Sequence, residues 1–325
     1  MRVEPLVDTT LEAGGGAVGV SSVARPHARP NIVLLVVALA SVWIFWGSTY
    51  AAIHIAISSV PPFVMAALRF ITAGVILWIF SALRGKGRPT LGEWRTALVT
   101  GTTLLLLGNG MTSWSLQYVP TGISSLILSI SPVWMALFAF LATRERPTRA
   151  AAIGMLLGFI GLAVLLAPKT SGPMPFVPTL LLVLASASWG FGSIFQRGAQ
   201  SKRLMLATAM QMVIGGVLIG IEALVFGEWQ HFDIHAVTLA SLGGFTWLVL
   251  FGSLVGYTAY LWTMQNAPVA LGSTFAYVNP IVALVLGMIL FHERLTPLAI
   301  LASAIILSGV ALMMLPAKNA RHVAR

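Results

Sequence analysis

The chain has 325 residues, of which 58% are hydrophobic and only 9% charged, with a mean hydropathy of +0.91. Soluble domains carry about 25% charged residues, so the composition excludes a water-soluble globular fold and makes the bilayer the solvent. There are no cysteines, which excludes disulfides, thiol catalysis and thiolate metal sites, while a net charge of +10 raises nucleic-acid binding as a reading that the placement of the charges must decide.

Residues 1–30 differ in kind from the rest. The run LEAGGGAVGVSSVARPHARP is rich in small residues, Gly and Pro, and no apolar run precedes residue 31. A signal peptide needs an apolar stretch soon after a basic start. The segment therefore reads as a disordered cytoplasmic tail retained in the mature protein. Beyond it, apolar runs of spanning length fall near 33–55, 62–83, 97–118, 121–142, 150–167, 177–197, 204–226, 240–263, 270–291 and 297–315. The expected fold class is an all-α membrane protein with ten transmembrane helices. The gaps are too short for an inserted soluble domain, and 317–325 reads as a second cytoplasmic tail.

The second run, PPFVMAALRFITAGVILWIF at 61–80, carries Arg69 near its middle. An arginine at the centre of a spanning helix costs about 2.5–3.5 kcal/mol on insertion scales and marks a functional group. Three partners are open to it: an anionic part of a substrate, a protein carboxylate such as Glu222, or backbone carbonyls of neighbouring helices. The other basic residues sort by side. Sixteen of the 19 fall in the two tails and in the loops after spans 2, 4 and 6, and only Lys169 and Arg294 fall opposite. The positive-inside rule then predicts that both termini are cytoplasmic, and the basic balance sets orientation rather than nucleic-acid binding.

The chain also repeats itself. A shift of 148 places Trp114 on Trp262, Gln117 on Gln265, Pro120 on Pro268, Ser125 on Ser273, Pro132 on Pro280 and Gly161 on Gly309. Glu145, Arg146 and Thr148 fall on Glu293, Arg294 and Thr296. With slightly different shifts, Trp46-Gly47 falls on Trp189-Gly190 and Gly74-Val75 on Gly216-Val217. Residues 31–168 (spans 1–5) thus predict one repeat and 177–316 (spans 6–10) a second. Five spans are an odd number, so the second repeat enters the membrane inverted. Inverted repeats characterise secondary transporters, whose halves rock about a midplane site built from interrupted helices.

Pro132 and Pro280 are such interruptions, each about twelve residues into its span. Each removes a backbone donor and frees the carbonyl four residues earlier, at Leu128 and Ala276. Their neighbours in SISP and YVNP include Ser129, Ser131, Tyr277 and Asn279. Two readings stand together: a kink that helps packing, or the lining of a wet cavity. Trp46 and Trp189 lie deep in their spans beside small residues and are open to packing or lining, whereas Trp114 and Trp262 lie near span ends and read as interface anchors. Asn109 and Tyr257, equivalent under the 148 shift, are mid-span polar groups that need partners. The expected substrate-binding set is Trp46, Asn109, Ser129, Trp189, Tyr257, Tyr277 and Asn279, with Arg69, Gln211, Pro132 and Pro280 structural or gating. Gln211 enters because it stands over Arg69 when Gly74 is aligned with Gly216. What the two positions share is a hydrogen-bond donor, which favours a latch over charge-based binding. GMLLG (154–158), GVLIG (216–220) and GSLVG (252–256) are GxxxG motifs, read as close helix contacts.

No Walker A motif, HExxH or pair of mid-membrane carboxylates occurs, so ATP hydrolysis and an intramembrane protease are poor readings. No catalytic residue, metal or cofactor is expected. Glu222 is the only carboxylate inside a span, which predicts weak coupling, or none, through a buried carboxylate. His54 is the other titratable group considered; it reads first as an interfacial polar residue.

In WGSTY (46–50), PPFVMAALRFITAG (61–74), YVPTGISSLILSISPVWMALFAFLATRERPT (118–148), ASWGFGS (187–193) and FAYVNPIVALVLGMILFHERLT (275–296), the chain resembles EamA-type members of the drug/metabolite transporter superfamily. The resemblance covers about 33–315, and the paired Glu-Arg-x-Thr segments are its more specific part. It implies ten helices in two inverted EamA repeats and movement of amino acids, other small metabolites or drugs across the bacterial cytoplasmic membrane, often outward. It fixes no substrate. The expected partners are a small-molecule substrate and the lipid bilayer, with no nucleic acid; a homodimer is compatible with this reading. The competing function is a membrane receptor or scaffold that binds without translocating.

Overall fold

The computed structural model describes residues 32–85, 88–144, 148–167, 174–199, 203–267 and 274–313. Among them all regular structure is helical. Helix α1 is Ile32–Ala56, α2 is Pro62–Leu83, α3 is 91–115, α4 is Thr121–Thr143, α5 is Arg149–Leu166 and α6 is Phe176–Ala199. Then follow α7 (Leu204–Val225), α8 (239–266), α9 (Phe275–Phe291) and α10 (Pro297–Met313). Seven of these, α1, α2 and α4–α8, are long and apolar enough to cross a membrane; α9 and α10 carry shorter apolar stretches. The exterior is studded with exposed Val36, Ile79, Phe80, Ile221, Leu239 and Ile289. In water such a surface would be an aggregation face; in hydrocarbon it is the solvated one.

The helix starts are set by local chemistry. Pro62 sits in the first turn of α2, where its missing N–H is no loss. Thr90 and Glu93 form a reciprocal capping box that starts α3 well before its apolar run. Thr148 and Thr296, the last residues of the two Glu-Arg-x-Thr segments, accept from the N–H of Ala151 and Ala299, each at 3.1 Å. Both helices that precede these segments end on a left-handed residue, Arg144 at φ 59° and His292 at φ 55°.

Small residues bring the helices together. A Cβ on Gly74 would lie 2.8 Å from the Val213 backbone nitrogen, and one on Gly216 would lie 2.8 Å from that of Ile71, so α2 and α7 touch nearly backbone to backbone. Gly154 and Gly309 do the same for α5 and α10, at 2.5 and 2.7 Å from each other's carbonyl oxygen. The GxxxG motifs of α5 and α7 therefore make helix contacts as expected. The third motif differs: Gly252 and Gly256 of α8 face the side chains of Arg69 and Trp46.

Acidic side chains fix the two ends of the bundle. At one end, Phe63 and Val64 at the start of α2 donate their backbone N–H to Glu228 at 2.8 and 3.0 Å. At the same end, the N–H of Thr121 donates to Glu293 at 2.6 Å and that of Gly122 at 3.0 Å, so a residue beyond α9 caps α4. Burial pushes the Glu228 carboxyl above its ordinary range, against the pull of its two backbone donors. At the other end, Arg203 before α7 is ion-paired with Glu93 of α3. Burial raises the Glu93 carboxyl, but hydrogen bonds from Thr90 and Arg203 outweigh it and hold it below the usual carboxylate range.

Candidate functional site

Three helices widen into π-helical turns: α1 at Val42–Trp46, α3 at Gly101–Gly110 and α8 at Leu248–Val255. A π turn disturbs the regular ladder of backbone hydrogen bonds and recurs at functional sites. Here side chains take up carbonyls in these turns. The Asn109 Nδ2 donates to the Leu104 carbonyl at 2.9 Å, and the Trp46 Nε1 donates to the Gly252 carbonyl at 3.0 Å. Helix α4 is broken: it stops at Leu128 and restarts at Ser131, with Pro132 in its new first turn.

Around these irregularities lies a cavity of about 790 Å³ of non-atom space, counting the part open to solvent. Its lining includes Trp46, Asn109, Ser129, Trp189, Tyr257 and Asn279 from the expected binding set, together with Arg69 and Pro280. Leu128 and Ala276, whose carbonyls the prolines were expected to free, line it too. The side chain of Tyr277 lies outside the described residues. Pro132 and Gln211 are not on the wall. Gln211 is buried behind it, donating to the Tyr257 hydroxyl and accepting from Gln196 Nε2 at 3.1 Å. Helix α9 runs through Pro280 without a stop, so the two proline sites are unlike in backbone.

Packing and lining coexist in the aromatics. Trp46 packs against Trp189, Tyr257, Tyr260 and Phe275 at centroid distances of 4.8–5.8 Å. Ser129 bonds back to the Leu126 carbonyl at 2.7 Å while standing at the wall. The sequence reading missed Thr49, Tyr50, Ile53, Thr112, Ser125 and Phe275. A helical period would have found most of them, since Thr49, Tyr50 and Ile53 follow Trp46 at three, four and seven places, and Thr112 follows Asn109 at three.

Arg69 is only 4% exposed. Its Nε donates to Ser253 Oγ on α8 at 2.9 Å and its guanidinium lies 4.7 Å from the Phe70 ring centroid. Its Nη1 is buried without a partner. The alternative of a Glu222 pair is not what forms, and Glu222 Oε2 is itself buried and unpartnered. His54 Nδ1 is engaged by the Leu116 carbonyl at 3.2 Å, away from the cavity wall. Among the described residues no group of His, Asp and Glu is placed to hold a metal ion.

A multi-pass helical bundle with a polar and aromatic cavity fits a membrane carrier and a small-molecule receptor alike, and comparison with known proteins makes the class specific. The chain belongs to the EamA-like transporter family, whose model matches residues 32–167 and again 177–315. It is 35% identical over 287 residues to the uncharacterized inner membrane transporter YedA of Escherichia coli K12, covering 86% of this chain and 90% of that one. It is 26% identical to the uncharacterized transporter YvbV of Bacillus subtilis, covering 83% and 87%, and 25% identical to a WAT1-related chloroplastic protein of Arabidopsis thaliana, covering 86% and 69%. A solved structure titled "Crystal structure of protein" shares the fold with a TM-score of 0.62 at 19% identity, covering 88% of this chain and 96% of that one.

Proposed function

We propose that the protein is a secondary transporter that moves amino acids or related small metabolites outward by alternating access. In this reading ten spans form two inverted five-helix repeats with both termini in the cytoplasm, and the lining residues named above bind the cargo. The observation that carries it is reciprocity. Gly74 packs on Val213 as Gly216 packs on Ile71, and the shift that carries Gly74 to Gly216 also carries Ile71 to Val213, so the two contacts exchange between α2 and α7. The left-handed residues Arg144 and His292 and the N-caps Thr148 and Thr296 obey the 148 shift as well. Contacts that exchange under a two-fold operation favour two equivalent rocking states, for which a receptor has no evident need. The mixed lining suits amino acids: aromatic faces for a side chain, and polar groups for its charged end.

The test is counterflow in proteoliposomes loaded with a mixed amino-acid panel. Exchange is expected for at least one member. Asn279→Ala should lower that exchange by about tenfold, the size of losing one buried polar contact, without lowering the amount of protein in the membrane. If no solute of a broad panel exchanges, the receptor reading replaces transport; if Asn279→Ala transports normally, the site lies elsewhere.

A further inference from the structure

A buried cation with a partnerless donor, on the wall of a cavity with no carboxylate among the described residues, is an incomplete pair. Among the described residues, the cavity lining contains one charged residue, Arg69, and no Asp or Glu. Arg69 is 4% exposed, and its Nη1 has no hydrogen-bond partner. Burying a charge without a counter-charge is costly unless something supplies it. The Ser253 hydroxyl and the Phe70 ring face each engage the guanidinium, but both are neutral. Its repeat-mate position tells the same story by contrast. Gln211 has both its donor and its acceptor engaged by Tyr257 and Gln196, so that position needs nothing from the cavity. The latch expected of both positions is therefore present at both, yet Arg69 keeps one arm beyond it. Gly252 makes room for the guanidinium: a Cβ there would stand 3.0 Å from Arg69 Nη2.

We infer that Arg69 is the anion-binding residue of the cavity and that the cargo carries a carboxylate. This deepens the transport reading and rests on it only in taking the cavity as the cargo site. The guanidinium stands at the cavity wall, where an incoming carboxylate can pair with it, while the Nε arm tied to Ser253 holds its plane. The aromatic cluster of Trp46 and Trp189 faces the rest of the molecule.

Purified protein in detergent is titrated with matched acid and amide probes: acetate and acetamide, N-acetyl-L-leucine and its amide, L-phenylalanine and its amide. Tryptophan fluorescence reads binding, since Trp46 and Trp189 stand at the wall. In the wild type at least one acid should bind about tenfold or more tightly than its amide, as charge-assisted hydrogen bonds predict. Arg69→Gln, which keeps donors and removes charge, should abolish the preference, and Arg69→Lys should restore part of it. No preference in any wild-type pair, an absence of binding by every probe, or an undiminished preference in Arg69→Gln would overturn the inference. Should Arg69→Gln fail to fold, Arg69→Lys decides, because it loses the paired donor geometry; a preference equal to wild type would then count against Arg69. Counterflow on the same preparation separates the two proposals. Acid preference without exchange removes the transport reading and leaves Arg69 as an anion site. Exchange without acid preference removes the anion site and leaves transport.

Discussion

Single residues in this protein act across long sequence distances. Glu293 is the clearest case: it serves α4, 172 residues earlier, where Thr121 gives it both an N–H and a hydroxyl hydrogen bond, at 2.6 and 2.7 Å. Gly122 adds an N–H at 3.0 Å, and Gly287 leaves the space the carboxylate occupies. Charge-assisted bonds to a helix N-terminus contribute about 1.5–3 kcal/mol. Glu293→Ala should therefore lower the thermal unfolding midpoint of the purified protein, while Glu293→Gln, which keeps one acceptor, should lower it less. Equal midpoints for Glu293→Ala and wild type would remove the cap from the account. The same residue gives the Glu-Arg-x-Thr segment its physical content: the Glu caps one helix at a distance and the Thr caps the next in sequence.

At the scale of elements, the decisive contacts are those of α2 with α7 and α5 with α10, where glycine permits near-contact of backbones. Two glycines of one motif provide an internal control. A Cβ on Gly216 would meet the Ile71 nitrogen at 2.8 Å, whereas one on Gly220 would meet only the Ala67 Cβ at 3.7 Å, an ordinary contact. Gly216→Ala should destabilise by about 1–3 kcal/mol through overpacking, and Gly220→Ala should be near neutral; thermal midpoints of the two variants check the contrast. The ion pair of Glu93 and Arg203 ties α3 to α7 at the other end. The Glu93 carboxyl is held below its ordinary range, so its contribution is fully present above the unfolded carboxylate pKa and is lost as pH falls through the lower folded value. Acid titration of stability should show this loss in the wild type and a shallower dependence in Glu93→Gln.

For the whole molecule, the proposal of ten spans makes a prediction about sides. Reporter fusions at Arg325 and in the 84–95 loop should both report the cytoplasm, and a fusion in the 227–238 loop should report the opposite compartment. The Glu228 and Glu293 contacts lie at the end of the bundle that this topology places outside, and the Glu93–Arg203 contact at the end it places inside. A cytoplasmic signal from the 227–238 fusion would break the span count. Coupling belongs to this scale too. Glu222 is a half-buried carboxylate away from the cavity lining, so a proton gradient should drive transport weakly through it. A steep pH-gradient dependence that vanishes in Glu222→Gln would show the reverse.

The helical class, the membrane as solvent and most helix positions were legible in the sequence, because hydrocarbon enforces apolar runs of fixed length and full local backbone pairing. The run expected at 62–83 is Pro62–Leu83, and α3 starts earlier than its apolar run because Thr90 and Glu93 cap it locally. Trp46, Asn109, Ser129, Trp189, Tyr257 and Asn279, which line the cavity, stand out in the sequence because a polar or aromatic group deep in a span must face something other than lipid. What each one touches was decided only in three dimensions. Arg69 finds Ser253 at a separation of 184 residues, and Trp46 finds the Gly252 carbonyl at 206. One proline site breaks its helix and the other does not, although the surrounding sequences repeat. Apolar period and span length are properties of a single helix. Which donor meets which acceptor, and which guanidinium arm is left free, depends on how closely two helices approach, and glycines far away along the chain set that distance.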